Sequence, residues 1–104
     1  MNRHIETYEV SWNGIQLAIT WEPKWLHIGE ELGWDTAHLQ VEAIAPERAM
    51  LPITETGYRS HFTNAATVAD MGGPVAFVRQ WLDEEAATPA WRAQDAASRQ
   101  FALF

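Results

Sequence analysis

Asn13-Gly14 is a preferred pair for the two-residue type I′ turn, because both positions of that turn need a positive φ. β-rich runs flank it, residues 5–12 and 15–22, so the pair closes a hairpin whose register can be written down. Trp12 then faces Ile15, Val10 faces Leu17, Tyr8 faces Ile19 and Glu6 faces Trp21. The other side pairs Ser11 with Gln16, Glu9 with Ala18 and Thr7 with Thr20. One register thus gathers nearly every large apolar residue on a single side, and a slip of one residue would scatter them. Turn chemistry and alternation agree, and the rest of the chain must supply a cover for that face.

Glu22-Pro23 is expected to end the second strand, since proline cannot donate to a ladder. Residues 24–35 carry Trp25, Leu26, Ile28, Leu32 and Trp34 broken by Gly29 and Gly33, and read equally as a loop with a short helical turn or as an irregular strand. Alternation returns at residues 36–44, a third strand with Leu39, Val41 and Ala43 inward and His38, Gln40 and Glu42 outward. Pro46 and Pro52 bracket an extended connection, and Thr56-Gly57 turns the chain into a fourth strand at residues 58–62, where Tyr58, Ser60 and Phe62 share a face.

The period then changes. Gly72-Gly73-Pro74 places proline at a first helical position, followed by Val75, Val78, Trp81 and Leu82 at helical spacing. Phe77 lies one turn before Trp81, and Arg79 can pair with Asp83 at i, i+4. Thr88-Pro89 stops that helix and caps a second, over about Pro89 to Arg99 and anchored by Trp91. Strands followed by helices give an α+β fold, an antiparallel meander of three to four strands with two C-terminal helices packed on one face. No repeat or linker interrupts it, so residues 1–99 read as a single domain and residues 100–104 as a tail.

Composition narrows the function. Without cysteine, neither disulfides nor thiolate metal sites are available. Six Trp among 104 residues supply burial that so small a domain needs. No run suits a signal peptide or approaches the roughly 20 apolar residues of a membrane span, which points to the cytoplasm. Fourteen acids against seven bases, a formal charge of -7, oppose direct binding to nucleic acid, which relies on Lys and Arg contacts to phosphate. The same charge serves solubility, or lets an acidic surface imitate DNA toward a DNA-binding protein.

Reactive side chains are sparse in pattern. His4, His27, His38 and His61 show no metal-ligand spacing, so no metal and no cofactor is expected, and His38 reads as a solvated outward residue. Glu30-Glu31 and Asp83-Glu84-Glu85 are carboxylate runs of the kind found on solvated faces. No phosphate loop, nucleophile elbow or paired catalytic spacing appears, and no catalytic residue is expected. The densest polar cluster is residues 52–62, Pro-Ile-Thr-Glu-Thr-Gly-Tyr-Arg-Ser-His-Phe, where Glu55, Tyr58, Arg59 and His61 form a candidate anion or ligand site. Arg59 and His61 project to the same side of the strand and together grip an anion. The plainer alternative is a turn in which Thr54 and Thr56 bond the backbone and Arg59 pairs with Glu55. This segment resembles one in small uncharacterised proteins of bacterial plasmids and other mobile elements, a likeness over about residues 38–104 that carries no known activity.

Gln100-Phe101-Ala102-Leu103-Phe104 adds a second resemblance. The stretch resembles the motif by which bacterial replication and repair proteins dock on the DNA sliding clamp, with Phe at the second position where Leu or Met is usual. Terminal residues are ordinarily mobile and polar, so two Phe and one Leu need a cover, either the protein's own core or a partner. The resemblance implies that Gln100 fixes register by hydrogen bonds, that Leu103 and Phe104 fill an apolar pocket, and that Phe101 adds contact. The expected function is a non-enzymatic interaction protein of a bacterial mobile element with the sliding clamp as its protein partner. Two alternatives stand beside it: an acidic inhibitor of a host nuclease or defence system, and a small ligand-binding domain or enzyme using residues 54–62.

Overall fold

The computed structural model describes residues 4–26 and 36–101, the side chains of Leu26 and of residues 98–101 excepted. Four strands, β1 (Glu6–Trp12), β2 (Ile15–Leu26), β3 (Thr36–Ala45) and β4 (Tyr58–Asn64), precede three helices, α1 (Ala65–Asp70), α2 (Pro74–Ala86) and α3 (Pro89–Phe101). The strands form one antiparallel sheet in the order β1-β2-β3-β4, each paired with its sequence neighbour. The hairpin has the register its turn dictates, from Glu6 opposite Trp21 to Trp12 opposite Ile15. Asn13 and Gly14 both have positive φ, 50° and 78°.

Alternation divides the sheet into two faces. Leu17, Ile19 and Trp21 of β2 and Ala37, Leu39, Val41 and Ala43 of β3 are buried on the inner face. Val68 of α1 and Val78 and Leu82 of α2 cover them, with Leu51 and Ile53 of the 46–57 connection closing one end. On edge strand β1, Tyr8, Val10 and Trp12 pack against this cluster but stay half-buried. The helices lie on one face, as the patterning requires.

Three details differ from the sequence reading. Pro23 does not end β2, which continues to Leu26 across a register shift between Glu22 and Leu26. A shifted ladder leaves residues without a regular partner, and proline fits where no donor is asked for. Of the segment 24–35, residues 24–26 belong to this irregular strand, and residues 27–35 lie outside the described residues. A third helix, α1, separates β4 from α2. Its N-cap is Asn64, whose side chain accepts from the Ala66 N–H at 2.8 Å, and Val68 is its buried residue. Six residues with one buried position are too few to show a helical period. Finally, Asp83 accepts from the Trp12 indole at 2.9 Å, the partner here in place of the expected Arg79.

The helix boundaries otherwise follow the local chemistry. Gly73 (φ 103°) precedes Pro74 at the start of α2. Thr88 joins α2 to α3: its hydroxyl donates to Glu85 O at 2.9 Å and accepts from Trp91 N–H at 3.3 Å. The α3 helix runs two residues beyond Arg99 and takes in Gln100 and Phe101.

Candidate interaction surface

Edge strand β4 presents different chemistry on each face because Tyr58-Arg59-Ser60-His61-Phe62 alternates polar and aromatic types. Arg59 and His61 share the inner side, as the spacing requires, opposite Val41 and Leu39. There they meet α2. The His61 ring lies 4.8 Å from Trp81 and 6.1 Å from Phe77, and the Arg59 guanidinium carbon sits 5.6 Å from the Trp81 ring centroid. Arg59 also directs Nη1 to Ile53 O at 3.5 Å, a long contact. Burial first, and the Arg59 charge second, push the His61 pKa below its ordinary value. At neutral pH the pair therefore presents one full positive charge, and His61 serves as a neutral aromatic neighbour.

The remaining candidates from the same segment lie elsewhere. Tyr58 is on the outer face, 45% exposed, and Glu55 is exposed in the connection. Thr54 and Thr56 direct their hydroxyls to Tyr58 O at 2.8 and 3.3 Å, the backbone-holding role of the plainer alternative. Arg59 takes Ile53 O and Trp81 as its partners in place of Glu55. The structure thus joins Arg59 to His61 and separates Tyr58 from both. Among the described residues no three His, Asp or Glu converge as metal ligands.

A cluster that alternation alone does not reveal occupies the outer face. Trp25, in the shifted end of β2, lies 4.7 Å from Phe62 of β4 at an interplanar angle of 57°. His38 of β3 stacks on Phe62 at 4.5 Å and 20°, and its Nε2 is 2.7 Å from Ser60 Oγ. His38 points outward as expected, yet it is half-covered by aromatic neighbours. Phe62 is 51% exposed and Trp25 42%. The signal was present in the outward positions of two alternating strands, His38, Tyr58 and Phe62. Placing them side by side required the β3–β4 register, and placing Trp25 there required the shift in β2.

The α3 helix has a different character. Trp91 is its half-buried anchor, 6.3 Å from Trp12, whereas Arg92, Ala93, Gln94, Ala96 and Ala97 are exposed. Of the four tail residues singled out, Gln100 and Phe101 belong to the last turn of α3. Leu103 and Phe104 lie outside the described residues. No helix is long and apolar enough to cross a membrane among the described residues.

Residues 5–91 match a family described as the KlcB third domain. No curated protein and no solved structure matches the chain.

Proposed function

The chain belongs to the family of KlcB third domains, a plasmid-associated family, and on that footing we propose that it is a non-enzymatic interaction domain that docks on the bacterial DNA sliding clamp. The docking residues are Gln100, Phe101, Leu103 and Phe104. One observation carries this reading: of the six residues of α3 that follow Trp91, five are exposed and one, Asp95, is half-buried. A segment destined for the core is normally led to it by buried residues, yet here a polar helix precedes three large apolar side chains. Because Gln100 and Phe101 stand in the final helical turn, an extended docking pose unwinds that turn, where helices fray readily.

The test is a titration of purified clamp with the intact chain and with variants. A peptide that docks through a few side chains concentrates its energy in them. Deleting residues 100–104, or changing Leu103 and Phe104 to Ala, should abolish binding and leave the melting temperature nearly unchanged. A truncated domain that melts early would make the segment core, since buried apolar truncations cost about 2–5 kcal/mol each. A stable intact chain with no affinity for clamp would end the docking reading. The acidic-inhibitor reading, which rests on the charge of -7, would then stand first.

A further inference from the structure

We infer that the outer face of the sheet binds an extended, arginine-bearing segment of a partner protein along the β3–β4 strip. This surface is separate from the clamp-docking residues, and its test stands or falls independently of them. The rings of Trp25, His38 and Phe62 form a continuous aromatic ground, with neighbouring centroids 4.7 and 4.5 Å apart. Trp12, Trp21, Phe77 and Trp81 are by contrast buried in the core or packed against it. A guanidinium laid on an aromatic face gains from the ring quadrupole and from stacking, an advantage that the compact lysine ammonium has in smaller measure.

Charge selects the occupant. On the regularly paired strands, the exposed charged residues of the outer face are Glu9 and Glu42, both acids, while Glu22 is buried and the exposed Lys24 precedes Trp25 in the shifted end of β2. Aromatic sheet faces that bind single-stranded nucleic acid combine stacking with cations for the phosphates. Here the strip itself carries the exposed Glu42, and the whole chain a formal charge of -7, so a cationic protein segment fits and a polyanion is repelled.

Register then fixes a spacing. His38 faces Phe62 and Glu42 faces Tyr58, four residues further along β3. At about 3.3 Å per residue that is roughly 13 Å. An extended partner with Arg at positions i and i+4 presents both on one side, one over Phe62 and Trp25, the other beside Glu42 and Tyr58.

The probe is an acetylated, amidated peptide Gly-Arg-Thr-Ser-Thr-Arg-Gly, titrated into the isotope-labelled full chain and followed by amide and indole resonances. The expected result is perturbation of the Trp25 indole N–H and of β3 and β4 amides. Affinity should fall about fivefold in Phe62→Ala, the loss of about 1 kcal/mol of ring–cation attraction. Trp25→Leu should weaken binding likewise, and provides a second variant if Phe62→Ala disturbs the fold. Replacing both arginines by lysine should weaken binding, and setting them side by side should do so too. Unmoved resonances would overturn the inference. So would equal affinity in Phe62→Ala and Trp25→Leu, which marks bulk charge attraction, or stronger perturbation of the same residues by oligothymidylate.

Discussion

Two glycines show how differently one residue type can be constrained. Gly14 (φ 78°) sits at the hairpin tip, where an added Cβ meets nothing within 4 Å. Gly57 has the same φ, but a Cβ there would lie 2.6 Å from the Cα and carbonyl carbon of Arg48. Its carbonyl also accepts from Ala43 N–H at 2.8 Å, so the backbone has no room to withdraw. Gly14→Ala should cost about 1 kcal/mol, the penalty for a side chain at positive φ. Gly57→Ala adds a backbone clash and should cost about 2–4 kcal/mol, as strained positions do. Urea denaturation of both variants measures the difference, and equal midpoints would contradict the packing of the 46–57 connection. From the sequence Gly57 was legible as a turn residue. That Arg48 backs onto it was not, because eight residues, 49–56, outside the named strands and helices lie between them.

At the scale of elements, legibility followed redundancy. The β1–β2 hairpin carried two independent signals, an Asn-Gly turn and apolar alternation, and its register could be written in full. The α1 helix carried one, the Asn64 cap, which does not mark a helix without an apolar period beside it. In β4 the shared side of Arg59 and His61 followed from period two, whereas their neighbours Trp81 and Phe77 come from α2, on a separate stretch of chain. That contact between β4 and α2 carries a pH dependence. Burial and Arg59 hold the folded pKa of His61 below the ordinary value of about 6.5, so the unfolded chain binds the proton more readily. The stability contributed by the neutral ring is complete above the unfolded pKa and is lost as pH falls through the folded one. Between about pH 7 and pH 5, where histidine titrates, the parent should lose stability that His61→Gln keeps. Arg59→Gln removes the second cause and should reduce the loss. Parallel midpoint-against-pH curves for parent and His61→Gln would show that the ring titrates freely.

At the scale of the whole molecule, the sheet order was legible and the attachment of the last helix was only half so. Trp91 could be read as the anchor of α3, but its counterpart Trp12 belongs to a hairpin tip at the opposite end of the sequence. Trp12 joins both: its ring meets Trp91 and its indole N–H bonds Asp83. The remaining strand contacts run between neighbours in the chain, β1 to β2, β2 to β3 and β3 to β4. That asymmetry has a kinetic consequence. Adjacent hairpins close short loops and assemble early, whereas the Trp12–Asp83 bond spans 71 residues and must await both the sheet and α2. Trp12→Phe, which keeps a ring and removes the donor, should cost about 1 kcal/mol. Nearly all of it should appear as faster unfolding, with the folding limb of the chevron unmoved. A slowed folding limb would place the latch in the transition state. With the limb unmoved, Trp12 governs how long the domain stays closed once formed, and the speed of closing belongs to the hairpins.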